Sequence, residues 1–301
     1  MLLILTNSLD GTADDVVRRI GSESVFRFNL DLWRSYDIRI DTAGFELADP
    51  TGRSCRASDL KAAYLRKPSF DDAIDLPAGG CIEAWTRSQL RYVTREIYNW
   101  CRDAGIVRLV EQDAERRLGK FTQLRLASAF LEVPEWEFVK TSEIASRPWP
   151  CITKALTAEF VSDYKVFFTC QVEPSSLDPT YPWMLQRLIP GARDVTIVFV
   201  NGRCFAFSLD RNLFEGHDWR KHTMLDDLHW NRVDIPEHVS AGIVSFMRSA
   251  GLQFGRLDMI EDDGRYYFLE VNPNGQWGWL DVDGSQGIYD AVIKELTAGW
   301  R

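Results

Sequence analysis

The run from Arg256 to Asp281, RLDMIEDDGRYYFLEVNPNGQWGWLD, constrains this chain more than any other. Two apolar runs flank Asp262-Asp263-Gly264, so the pair reads as a β-hairpin. Each arm carries a carboxylate, Asp258 before the turn and Glu270 after it. They stand twelve positions apart, and strand side chains alternate with period two. A three-residue loop therefore puts both on one sheet face, whereas a two-residue loop parts them. Gly264 suits the left-handed last position of a three-residue loop, which is the expectation here. Glu270 and Asn272 share a face by the same alternation. Two carboxylates and an amide oxygen then converge in an oxygen-only site, the kind Mg²⁺ takes when it also holds nucleotide phosphates. Ile260, Tyr266 and Phe268 are expected on that same face, which a merely solvated acidic face would not carry.

Few other function classes survive the composition. A net charge of −9 argues against a phosphate-backbone binder, which needs a basic face. An apolar fraction of 45% across 301 residues supports a sizeable core in two or three small domains or one large one. The cysteines at 55, 81, 101, 151, 170 and 204 form no C-x-x-C pair and read as reduced core residues. The four histidines lack zinc-ligand spacing. MLLILT reads as a buried strand, not a signal peptide, and no apolar run reaches membrane-span length. Cytoplasmic location, no nucleic acid and no membrane follow as expectations.

Residues 1 to about 112 alternate strand and helix signals. Strands are expected at 2–6, 24–28, 61–66 and 107–110, with a hairpin around Thr42-Ala43-Gly44. Helices are expected at 12–20, capped by Thr12, and at 82–103. A helical stretch then runs from 113 to about 131, and Pro134 stops it. Short strands are expected at 136–139, 151–154, 164–172 and 183–189. Asn201-Gly202 marks a type I′ turn within 194–209. Helices at 236–250 and 285–298 flank the carboxylate hairpin.

The 256–281 stretch resembles the ATP-grasp ligases, in which Asp…Glu-x-Asn on the last strands binds Mg-ATP. Its continuation, Asn272-Pro273-Asn274-Gly275-Gln276-Trp277, is similar to the subset that crosslinks ribosomal peptides, the microviridin-type or graspetide synthetases. The resemblance implies an α/β and α+β ATP-grasp fold. Residues 1–112 would form an N-terminal α/β pre-ATP-grasp domain, and 113–190 a small central α+β lid and nucleotide domain. Residues 191–301 would form a C-terminal mixed-sheet domain with the metal site. The implied cofactors are ATP and Mg²⁺, the metal resting on Asp258, Glu270 and Asn272. No glycine-rich phosphate loop exists, so lysines and metal must hold the phosphates. The resemblance puts Lys120 and Lys154 there, and Gln186, Arg187, Leu188 and Ile189 at the adenine. Arg187 stands where relatives often carry an acidic residue.

A second departure concerns charge. Relatives commonly read Asp-Ile-Arg-Val after the hinge, whereas this chain reads Asp194-Val195-Thr196-Ile197. Arg220, in the family-like triplet Asp218-Trp219-Arg220, and Arg211 are the expected catalytic substitutes; salt bridges with Asp218 and Asp210 are the alternative. Arg66-Lys67-Pro68 matches a basic segment that could face an acidic substrate. Trp277 and Trp279 are expected to shape a substrate wall. By resemblance, the substrate is a ribosomal precursor peptide with acidic core residues, and a homodimer is left open. The alternatives are a ligase acting on a small amino acid or a protein tail, and a degenerate nucleotide-binding module without catalysis.

Overall fold

The computed structural model describes residues 1–67, 81–157, 160–162, 165–166, 168–222 and 228–300. Strand β1 (Leu2–Thr6) is buried along its whole length, as its unbroken apolar run requires of the middle strand of a parallel sheet. Helix α1 (Gly11–Ile20) follows. Its cap is Asp10, whose carboxylate accepts from the Ala13 N–H at 3.2 Å, and not Thr12. Next come β2 (Val25–Asn29), the small antiparallel sheet β3 (Asp37–Asp41), β4 (Gly44–Ala48) and β5 (Ser54–Arg56), and then β6 (Ala62–Leu65). The parallel order is β2-β1-β6. Helix α2 (Cys81–Asp103) covers one side. The strand expected at 107–110 is reduced to a single parallel bridge between Ala63 and Val107. Pro68 lies outside the described residues.

Helices α3 (Ala114–Arg117) and α4 (Lys120–Ala127) break at Leu118-Gly119, and the chain turns rather than winds beyond Ala127. Strands β7 (Trp136–Val139), β8 (Cys151–Thr153), β9 (Phe160–Ser162), β10 (Lys165–Val166), β11 (Cys170–Val172) and β12 (Trp183–Arg187) build two antiparallel units, ordered β11-β8-β12-β7 and β10-β9. The strand expected at 164–172 is thus split in two, with Tyr164 and Phe167 outside the described residues.

The third sheet, ordered β15-β14-β13-β16-β17, is built from β13 (Arg193–Val200), β14 (Arg203–Asp210), β15 (Asn231–Val233), β16 (Phe254–Asp262) and β17 (Arg265–Asn272). A mixed sheet was expected. All its ladders are antiparallel, and a lone bridge from Glu132 to Tyr267 is parallel. The Asn201-Gly202 turn has both residues at positive φ, 42° and 92°, as a type I′ hairpin requires. Helix α5 (Glu237–Ser249) covers one face, packing Ile243, Phe246 and Met247 on Ile197, Leu257 and Phe268. Ala114, Leu118, Leu124 and Ala127 join the same core, so α3 and α4 pack on the third sheet. The opposite face serves two ends. At one end Val198, Val200 and Phe254 pack with β1, α1 and α6 (Ile288–Leu296), which joins the first and third sheets in one core. The other end is left for the cleft described below.

The hairpin between β16 and β17 departs from expectation in an instructive way. Asp262 pairs with Arg265, so the loop is Asp263-Gly264, two residues with φ of 50° and 80°. Such a loop alone would send Asp258 and Glu270 to opposite faces. A register shift beside Asp258 prevents this: Met259 pairs with Phe268, and Asp258 with Glu270, leaving Leu269 as an extra residue. This β-bulge restores the shared face. It also moves residues before it. Tyr267, not Tyr266 or Phe268, joins Ile260 on the carboxylate face, while Phe268 packs its ring at a tilt against Phe246 beneath α5.

Gly242 sits in α5 where the chain at Phe130 and Leu131 comes closest; an added Cβ would lie 2.6 Å from the Phe130 carbonyl oxygen. Gly242→Ala should therefore lower stability by about 1–3 kcal/mol, although alanine favours a helix by ~1 kcal/mol. Urea denaturation measures the sign, and a stabilised variant would show that α5 can shift freely.

Candidate functional site

A cleft of about 410 Å³ opens between the β8–β12 sheet and the free end of the third sheet. Lys120, Lys154, Gln186, Arg187, Leu188, Ile189, Arg211, Arg220, Asp258, Glu270 and Asn272 all line it. Lys120 begins α4, Lys154 follows β8, and residues 186–189 carry the chain from β12 towards β13. Asp258 lies on β16, and Glu270 and Asn272 on β17, so residues far apart in sequence are gathered by several separate elements.

The two carboxylates are cross-strand partners and already engaged. Asp258 accepts from the Thr196 hydroxyl at 3.1 Å and from Arg256 Nη2 at 3.2 Å. Glu270 Oε2 lies 3.3 Å from Lys120 Nζ, which also donates to the Ala155 carbonyl at 3.0 Å. Burial pushes the Glu270 carboxyl up, but Lys120, Lys154 and Arg220 outweigh it and hold the group below its usual range. Burial pushes the Lys154 ammonium down to about 8, with the Glu270 charge opposing that fall. Asn272 pairs with Arg256 in the next row of the ladder. The donor set suits Mg²⁺, which commonly rests on one or two carboxylates and takes its other oxygens from phosphates and water. Among the described residues no cluster of three or more His, Cys, Asp or Glu forms a self-sufficient cage.

Residues 186–189, the hinge at the end of β12, divide their roles. Gln186 is fully buried, and neither polar atom of its side chain has a partner, in a segment that borders the cleft. Such a group is costly unless a ligand satisfies it. The Arg187 and Leu188 N–H groups bond the Glu135 and Pro150 carbonyls, each at 2.8 Å, and the Ile189 carbonyl accepts from Arg211. Arg187 turns its guanidinium to Glu135 at 3.2 Å. Ile189 packs with Ile260, Tyr267 and Leu269 into an apolar shelf.

Both arginines expected to be catalytic are tethered by aspartates. Arg220 forms a two-pronged pair with buried Asp218, at 2.8 and 3.0 Å. Arg211 lies 3.8 Å from Asp194, not Asp210. Burial pushes Asp194 up to about 6 despite Arg211. Arg66 was expected to face substrate, but it is completely buried. It bonds Asn274 Oδ1 at 3.3 Å and Gln276 Oε1, and its Nε lies 3.6 Å from Asp10. Its buried charge needs these internal partners and leaves no face for a ligand. Lys67 is exposed and lines a separate cleft with Glu115 and Asn274. Trp277 is buried against Tyr289, which removes it from any substrate wall, while Trp279 packs with Trp219 and Trp230. Arg256 and His217 line the cleft without having been singled out, beside Asp194 and Asp218. For Arg256 the signal was present: it stands two positions before Asp258, on the same strand face. The described cysteines are free, and burial pushes Cys55 and Cys101 up to about 12, far from a reactive thiolate.

A scan against protein-family models and a search of curated proteins find no match. Among solved structures, the chain is similar to macrocyclase MdnC from Microcystis aeruginosa MRC, bound with precursor peptide MdnA. The TM-score is 0.78 at 22% identity, over 98% of each chain. A Chryseobacterium gregarium RiPP-associated ATP-grasp ligase, in complex with ADP and a leader and core peptide, gives 0.79 at 20% identity over 98% of this chain and 96% of that one. D-alanine–D-alanine ligase from Bacillus anthracis, complexed with ATP, gives 0.55 at 12% identity over 98% and 96%. The chain therefore has the ATP-grasp fold along essentially its whole length.

Lys154 yields a stability test. Its pKa falls from an ordinary 10.5 to about 8 on folding, so the unfolded chain binds the proton more tightly. Below pH 8 the ammonium thus opposes folding, and the opposition fades between pH 8 and 10.5. Lys154→Met should raise the melting temperature of the ligand-free protein at pH 7, with the gain shrinking towards pH 10.5. Thermal unfolding across that range checks it; a gain that grows with pH would reverse the assignment.

Proposed function

We propose that this protein is an ATP- and Mg²⁺-dependent carboxylate ligase that crosslinks a ribosomally made precursor peptide through an ester or amide. The observation that carries the reading is the meeting of Lys120, Lys154, Asp258 and Glu270 in one cleft beside the hinge. The peptide substrate rests on the precursor-peptide complexes of the similar structures and on Asn272-Pro273-Asn274-Gly275-Gln276-Trp277. Acidic core residues are the side chains such an enzyme would activate. A cytoplasmic setting accords with the free cysteines; no helix among the described residues is long and apolar enough to cross a membrane.

Asp258, Glu270 and Asn272 would hold Mg²⁺, and Mg-ATP would supply the phosphoryl group that turns a side-chain carboxylate into an acyl phosphate. The chain's own residues do the rest. Ile189 and Ile260 form an apolar shelf for the base, and Gln186 offers it a buried amide. Lys120 and Lys154 neutralise phosphate charge. Their pull on Glu270 keeps it ionised, as a metal ligand must be. Arg220, with its Nε and Nη2 held by Asp218, brings its charge close to Glu270 and Asp258, and Arg211 lines the same cleft. A peptide hydroxyl or amine then displaces phosphate from the acyl group.

Incubation with Mg-ATP and an acidic peptide containing Thr, Ser and Lys should give products lighter by one water per crosslink, read by mass spectrometry. Glu270→Ala should lower ATP turnover at least about 100-fold, the effect of losing a few kcal/mol of transition-state stabilisation, while circular dichroism stays unchanged. Near-normal turnover at saturating Mg-ATP would remove Glu270 from the metal site. Arg220→Lys should bind ATP nearly as well and lose most turnover, because an ammonium cannot reproduce the fork. Steady-state kinetics beside calorimetry separates the two; full activity of Arg220→Ala would end that role.

A further inference from the structure

Strand β17 ends the third sheet, so one of its edges has no strand beside it. N–H groups that point out from such an edge need partners of another kind. Two of them find partners in the chain from α4 to Glu132. The Phe268 N–H donates to the Glu132 carbonyl at 2.8 Å. The Val271 N–H donates to Gln123 Oε1 at 2.9 Å. Between these two anchors lie only Leu269, the extra residue of the bulge, and Glu270. The bulge that decides which way Glu270 faces is therefore held from its open side as well as from β16.

Gln123 is buried in α4, and both ends of its amide are used. Its Nε2 donates to the Leu118 carbonyl at 2.7 Å, at the break between α3 and α4. One side chain thus ties together the turn before α4, α4 itself and β17. Lys120 stands three positions earlier on the same face of α4, and its ammonium lies 3.3 Å from Glu270. Lys120 meets the carboxylate, and Gln123 meets the backbone one residue further on. Gln123 does not line the cleft. Its partner Val271 sits between Glu270 and Asn272, and the Val271 side chain goes to the core beneath α5.

We propose that Gln123 is a positioning residue for the metal site: it fixes the backbone between Glu270 and Asn272, and with it their placing against Asp258 and Lys120. The inference rests on the ligase reading above. An amide offers an acceptor and a donor at once, which is what the Val271 N–H and the Leu118 carbonyl require. An apolar side chain of similar size would fill the space and leave both groups buried without partners.

Calorimetric titration of the full chain with ADP, once with Mg²⁺ and once with EDTA, isolates what the metal site contributes. Gln123→Met keeps the bulk and removes both bonds. It should cut the strengthening of ADP binding by Mg²⁺ about 10-fold, the usual lower cost of losing a group that orients a metal ligand, and change ADP affinity in EDTA less than about threefold. A merely structural residue would lower the melting temperature and leave the Mg²⁺ effect intact well below it. That result would overturn the proposal, as would equal losses with and without metal. Hydrogen exchange of the wild-type protein adds a reading that does not depend on the variant folding. The Val271 amide should exchange as slowly as the ladder amides of β16, although it lies on an open edge; exchange at the rate of an exposed amide would also overturn the proposal. Wild-type protein whose ADP affinity ignores Mg²⁺ would instead bring down the ligase reading itself.

Discussion

Two carboxylates can share one cation only if their strands agree about which way is in. Here that agreement rests on a single extra residue, Leu269. The type I′ turn at Asp263-Gly264 sets one parity, and the bulge beside Asp258 reverses it at the point where the site begins. Before the bulge, β17 gives Phe268 to α5 and Tyr267 to the hinge shelf; after it, β17 gives Glu270 and Asn272 to the cleft and Val271 to the core. Packing and chemistry thus share a ladder without competing for the same positions. Bulges recur where a strand must re-aim a side chain at a functional site.

The cleft's electrostatics follow from that geometry. A buried carboxylate facing a half-closed space resists ionisation. Lys120 and Lys154 counter this at Glu270, while Thr196 and Arg256 bond Asp258. The arrangement is not relaxed, since Lys154 is held far below its normal affinity for a proton and Gln186 buries an unsatisfied amide. Strain of this kind is what a ligand rich in negative charge and polar edges would relieve.

Much of this was legible from residue types and spacing. The order of elements, the type I′ signal at Asn201-Gly202 and the long helix at 82–103 follow from local patterns, and α2, β13 and β14 form close to where those patterns end. The gathering of eleven separate residues in one cleft came from the family-like motif, since no local rule brings Lys120 to Glu270. What periodicity could not show was the bulge: an inserted residue leaves no compositional mark, so the loop length was misjudged while the shared face came out right. Burial was the other blind spot. Arg66 and Trp277 look like surface groups in sequence, and only the closing of distant loops over them puts them inside. Helix α4 likewise packs on the third sheet through Leu124 and Ala127, a choice its short pattern does not disclose.

The half-buried contact between Arg66 and Gln276 joins residues 210 positions apart. Closing so long a loop costs entropy before any contact repays it, so this pairing belongs late in folding. Asn274 and Gln276, just beyond Glu270 and Asn272, take their final places only when that clasp shuts. At synthesis rates of about 5–20 residues per second, Arg66 waits on the order of ten seconds or more for its partners. During that wait the growing chain has no finished cleft, and whatever the cleft binds has no complete place to bind.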